Sequence, residues 1–128
     1  MIPKYYSGWQ ALNLPDENGK TADWHPLLFW DNEPKKYDFN EKLGDWGIKK
    51  RYISFLNKED FVANFARAIA DLVLNNDTKE LKNCVSDYLD DDEAKELYEN
   101  LKKFKILNNV ENFLKYELTK FYFLENKD

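Results

Sequence analysis

Ala22-Asp23-Trp24-His25-Pro26 holds the only histidine of the chain and is the first place where residue types and spacing suggest chemistry. An unperturbed imidazole titrates near pH 6.5 (about), so a neighbouring carboxylate and indole could serve a proton shuttle. In an extended strand Asp23 and His25 share one face and Trp24 takes the other. With Trp30 and Trp46 as further aromatic walls, Asp23, Trp24 and His25 define a candidate small-molecule or enzymatic pocket. General acid–base work also needs a substrate proton or a nucleophile within reach of the base, and the spacing supplies neither. The competing expectation, which the sequence favours, is a structural histidine holding a turn before Pro26.

Other constellations carry less. Asp31-Asn32-Glu33-Pro34-Lys35, with Pro15-Asp16 upstream, has a Glu-x-Lys spacing of the kind that holds Mg²⁺ and steadies a phosphate in metal-dependent nucleases. Pro34 stands where that arrangement needs an apolar strand residue, and proline cannot donate to a ladder, so the segment is expected to be a loop. Asp90-Asp91-Asp92-Glu93 lacks the alternating oxygen ligands and central glycine of a calcium loop. One histidine and one cysteine cannot make a zinc site without several carboxylates. Neither a glycine-rich phosphate loop nor a Gly-x-Ser-x-Gly elbow occurs. The sequence therefore assigns no catalytic residue, no metal and no cofactor, and leans away from an enzyme.

The stronger pattern is a partition of residue types along the chain. All four tryptophans (Trp9, Trp24, Trp30, Trp46) and His25 lie in the first 46 residues. Residues 1–57 carry 8 Lys+Arg against 8 Asp+Glu, whereas residues 58–128 carry 11 against 16, the whole net charge of −5. Such an acidic surface steers basic partners and repels phosphates. The only arginines are Arg51 and Arg67, which further weakens a nucleic-acid role. Lys49-Lys50-Arg51 is expected to protect a strand edge. Tyr116 and Phe123, seven residues apart and joined by Tyr122, either form an exposed anchoring patch or lie beneath the front half.

These residues must be positioned by an α+β fold. With 43% hydrophobic and 16% aromatic residues the chain can bury a core, and 128 residues suit a single domain. Residues 1–56, which hold every proline and glycine, are expected to form a small antiparallel sheet or an irregular aromatic-rich region. Asn18-Gly19 signals a hairpin turn, and Ile48–Leu56 a strand with Ile53 and Phe55 on one face. Residues 57–128 predict a bundle of about four amphipathic helices on which the front part packs. The first is capped by Asn57 and carries Phe61, Val62, Phe65, Ile69, Leu72 and Val73, with Asn64, Arg67 and Asp71 opposite. Asp77-Thr78-Lys79-Glu80 has the form of a capping box before Leu81, Cys84 and Val85, which makes Cys84 a buried, inert thiol. Asp90–Glu93 starts a third helix, and Asn108-Asn109 precedes a last one running to Leu124.

No segment approaches the length of a transmembrane helix, and a single cysteine suits a reducing compartment, so a soluble, cytoplasmic protein is expected. The expected function is a small acidic protein-binding module. Its most concrete form is an inhibitor, or an antitoxin-like or immunity-type neutralising partner, covering the basic site of a nucleic-acid-acting protein. Asp90, Asp91, Asp92, Glu93, Tyr116, Tyr122 and Phe123 are its candidate contacts. No direct nucleic-acid or membrane contact is expected, and a homo-oligomer is compatible with the sequence. The alternative is the Asp23/Trp24/His25 pocket.

Overall fold

The computed structural model describes residues 4–15, 35–54, 56–78 and 81–125. They form an α+β fold, as composition and periodicity predict. In chain order the elements are β1 (Lys4–Tyr5), α1 (Gly8–Leu12), β2 (Tyr37–Asp38), β3 (Ile48–Ile53), β4 (Lys58–Ala63) and α2 (Phe65–Leu74). There follow α3 (Cys84–Tyr88), α4 (Asp91–Leu101) with a 3-10 turn over Lys102–Phe104, α5 (Asn108–Glu117) and α6 (Thr119–Glu125). The chain divides into two compact units, Met1–Ala68 and Ile69–Asp128, with the boundary inside α2.

In the first unit β1 pairs antiparallel with β2, Tyr5 opposite Tyr37. Tyr6 then bridges in parallel to β4: its N–H donates to Phe61 O at 2.9 Å, and its carbonyl accepts from Ala63 N–H at 2.8 Å. β3 and β4 form a hairpin in which Ile48 faces Ala63 and Ile53 faces Lys58. Residues 58–63, expected to open a helix, are thus a strand. The reason lies at Asn57, whose φ of 53° places it in the left-handed region that asparagine tolerates in turns. Its N–H donates to Ser54 O at 3.3 Å, and its side-chain oxygen accepts from the Tyr52 hydroxyl. The residue caps a hairpin, not a helix. Lys49 and Lys50 are exposed on β3, which among the described residues has β4 as its only ladder partner, as expected of a charged edge.

Helix α2 starts after β4, with Asn64 as its cap: the side-chain oxygen accepts from Arg67 N–H at 2.8 Å and the carbonyl from Ala68 N–H at 2.9 Å. Every residue from Phe65 to Val73 is buried. Arg67 and Asp71, expected on a solvent-facing side, are 0% and 4% exposed. The alternating Ala66, Ala68 and Ala70 explain this, because a helix apolar on all sides has no face to give to water.

A buried guanidinium costs several kcal/mol (about) unless its N–H groups are met. Arg67 Nη1 donates to Gly44 O and to Trp46 O, both at 2.9 Å, and Nη2 donates to Tyr5 Oη at 3.0 Å. The cation also lies 5.1 Å from the Tyr5 ring centre and 5.4 Å from that of Trp46. The loop that turns its carbonyls inward needs Gly44 and Gly47, both at φ 73°. Gly47 O in turn accepts from Asn64 N–H at 2.6 Å.

In the second unit the helical apolar positions close a core of Leu72, Leu81, Leu97, Leu101, Val110 and Leu114, all at most 2% exposed. Cys84 is buried there too, and burial, ahead of the negative charges of Glu117 and Asp87, pushes its thiol up to about 12. Asp90 and Glu93 form the capping box of α4: Asp90 Oδ1 accepts from Glu93 N–H at 2.8 Å, and Glu93 Oε1 accepts from Asp90 N–H at 2.9 Å. Two expectations shift. The helix expected after Asp77 begins only at Cys84, behind Asn83 at φ 63°; Lys79 and Glu80 lie outside the described residues. The last helix breaks at Leu118, where the Thr119 hydroxyl donates to Lys115 O at 2.9 Å and so satisfies a carbonyl that the break frees.

The cradle makes a discriminating prediction. Alanine at either glycine incurs the left-handed backbone cost, about 1–2 kcal/mol. At Gly47 a Cβ would also sit 2.7 Å from Arg67 Cβ and 2.8 Å from Asn64 Oδ1, whereas at Gly44 nothing lies within 4 Å. Gly47→Ala is expected to lose at least ~1 kcal/mol more than Gly44→Ala in urea denaturation; equal losses would show that the loop does not clasp the helix.

Candidate functional site

The negative surplus belongs to one structural unit. Residues 69–128 hold 9 Lys+Arg against 14 Asp+Glu, which is the entire net charge of the chain. Among the described residues of this unit, a larger and a smaller groove share Glu117 in their lining.

The smaller groove, about 380 Å³, brings Asp90 and Asp91 of the α4 N-terminus together with Tyr116 of α5. Leu89, Leu118 and Phe121 give it apolar lining, beside the polar Ser86, Thr119 and Lys120. Tyr116 is 68% exposed, a large aromatic surface beside two carboxylates. Phe121 is held from behind by the Tyr98 ring at 5.8 Å, and the end of α6 by Lys102, which lies 2.7 Å from Glu99 and 3.4 Å from Glu125. Those ion pairs are exposed, so solvent and salt screen them.

The larger groove, about 740 Å³, is lined by Asn76, Asn108, Asn109 and Asn112 around Lys82 and Phe113. Asn109 is committed to the fold through its amide, which donates to Val73 O. Glu117 Oε1 accepts from Asn83 N–H at 2.8 Å. Burial, the largest influence, raises the Glu117 pKa above its ordinary value; the Asn83 bond and Lys82 oppose the shift, and Asp87 adds to it. A carboxylate kept partly out of water in this way gains most when a cation joins it.

The structure thus gathers three of the seven expected contacts, Asp90, Asp91 and Tyr116. Asp92 and Glu93 do not line the groove, and Glu93 acts as the capping partner of Asp90. The break at Leu118 takes Tyr116 and Phe123 off a common helical line. Phe123 is 57% exposed; Tyr122 donates its hydroxyl to Glu111 Oε1 at 2.6 Å and meets Phe123 edge-on at 5.6 Å. Asp23, Trp24, His25 and Trp30 lie outside the described residues. Trp46 is a wall of the Arg67 cage, and its indole N–H is buried without a hydrogen-bond partner among the described residues. Sequence reasoning missed Glu117 and the asparagine row. Position 117 lies four residues from Phe113, so the helical period already places a carboxylate beside the buried stripe.

Among the described residues no His, Cys, Asp and Glu group could hold a metal ion, and no helix is long and apolar enough to cross a membrane.

Because the folded pKa of Glu117 is raised, the native state binds more protons than the unfolded chain above the ordinary value of 4.5. Its ionised form therefore costs stability at neutral pH, and that cost disappears as pH falls below 4.5. Glu117→Gln retains an acceptor for Asn83 N–H and is expected to be more stable than wild type at pH 7, with the difference vanishing near pH 4. Calorimetry across that range would contradict this if the variant were less stable at neutral pH. Comparison with protein-family models, with curated proteins and with solved structures finds no match.

Proposed function

We propose that this chain is an acidic protein-binding module whose docking surface is the Asp90/Asp91/Tyr116 groove. The observation that carries it is the meeting of two carboxylates and an exposed aromatic with apolar side chains in one groove, in the unit that holds all of the net negative charge. Aromatic anchors with a charged rim are the usual composition of protein interfaces. The partner is a basic protein, and the function is to cover its basic site, as an inhibitor or antitoxin-like neutraliser does. Acidic charge raises the encounter rate and disfavours nucleic-acid binding to the module itself. A lone buried thiol is compatible with an encounter in the cytoplasm.

A second possibility is an aromatic pocket in the first unit, favoured by the buried indole N–H of Trp46, a donor that a ligand carbonyl would satisfy. His25→Ala that leaves ligand binding and fold intact would count against its version around Asp23 and Trp24.

The test of the leading function keeps the fold. Asparagine caps helices as well as aspartate does, so Asp90→Asn with Asp91→Asn removes charge without uncapping α4. Affinity capture from native-source lysate is expected to retain a basic protein that is released at high salt. Adding Tyr116→Ser to the two substitutions should weaken its binding at least ~10-fold, since one buried aromatic anchor is worth about 2 kcal/mol. A partner whose affinity and salt dependence survive the triple variant would contradict the docking surface.

A further inference from the structure

We infer that the two grooves act as one track, along which α5 receives an extended, basic segment of the partner polypeptide. This rests on the acidic docking surface proposed above and extends it to the larger groove. Asn108, Asn112 and Tyr116 recur every fourth residue on α5 and are all exposed. They form an uncharged row of two carboxamides and a phenol on an otherwise charged unit. Both asparagines line the larger groove, and Tyr116 lines the smaller. Beside that row, Phe113 and Glu117 line the larger groove, and Glu117 continues into the smaller one.

The spacing fits a β-extended chain. Four residues of helix rise about 6 Å, and alternate residues of a strand are about 6.6–6.8 Å apart. A carboxamide donates and accepts at once, which is what a peptide unit requires of a partner. Asn108, Asn112 and Tyr116 can therefore each meet every second residue of a segment lying along the helix. The ten residues of α5 span about 15 Å, enough for four or five extended residues. Charge sets the side chains. Glu117 stands at the junction with Asp90 and Asp91 beyond it, whereas among the described residues Lys82 and Lys120 are the only cations lining the two grooves. Lysine or arginine at alternate positions would pair with these carboxylates. A single-stranded nucleic acid could use the amides and the phenol, but its phosphates would face the same carboxylates.

The experiment is a ¹⁵N NMR titration of the full chain with acetyl-(Lys-Leu)₃-amide, with acetyl-(Glu-Leu)₃-amide as the acidic counterpart. The basic peptide is expected to give saturable shifts at the side-chain amides of Asn108 and Asn112 as well as at Tyr116, Asp90 and Asp91. The acidic peptide should give none. Glu117→Gln should weaken binding about fivefold, the loss expected for one partly screened charge pair. Asn112→Ala should weaken it about threefold, the lower range for one neutral hydrogen bond. Glu59→Gln, which removes the same charge from the exposed β4 surface, should leave it unchanged. Shifts confined to Asp90, Asp91 and Tyr116 would overturn the track and leave the docking surface standing. No shift at either place would overturn both. Shifts at Asn108 and Asn112 on diluting the protein alone would assign the row to a second copy of this chain and overturn the inference.

Discussion

The guanidinium of Arg67 has to be satisfied without water, and that requirement organises the first unit. Its donors reach two loop carbonyls, of Gly44 and Trp46, and the hydroxyl of Tyr5 near the start of the chain. Segments far apart in sequence are thereby fixed to one side chain. Asn64, which caps the same helix, closes the arrangement by donating to Gly47 O and accepting from Arg67 N–H. The two glycines are needed because the loop must run in the left-handed region while its backbone touches the helix. Within the same unit Tyr6 ties the segment after β1 to β4 through two backbone hydrogen bonds.

The second unit is built by different means. Its core is helical and aliphatic, and its charge is −5 where the first unit is neutral. The capping box of α4 places Asp90 at a groove wall while spending the Glu93 side chain on the helix end. Glu117 is the opposite case. A carboxylate raised in pKa by burial works against the fold at neutral pH, and groups held at such a cost are common where a ligand is awaited. The proposed site thus combines one carboxylate that stabilises its helix with another that does not.

Much of this was legible in the residues. The α+β class follows from the confinement of proline and glycine to the front and the helical spacing behind it. The helix start at Asp90–Glu93 and the buried Cys84 were readable because each depends on neighbours within one helical turn, whereas the capping box there was not singled out. Failures came where distant segments decide. Phe61 and Val62 fit a helical period, but pairing with β3 made them strand. Arg67 looked like a surface cation because its partners lie 21 to 62 residues away. The asparagine row escaped notice because carboxamides carry no charge signal, and only the fold sets Asn76, Asn108 and Asn112 around one groove. The break at Leu118, which separates Tyr116 from Phe123, depends on a local hydroxyl contact that hydropathy does not register.

The claim on which the rest stands is that Arg67 is an organising contact and not an accidental burial. Replacing a buried charge by an apolar side chain is neutral or stabilising in some proteins, so the outcome is open to measurement. Arg67→Met matches the stem length and removes every donor. If the cage organises the unit, equilibrium urea denaturation will show a loss of about 3 kcal/mol or more, because the part-buried Gly44 and Trp46 carbonyls lose their donors and the helix loses its tie to the loop. Unchanged or increased stability of Arg67→Met, with the same denaturant slope, would contradict the account.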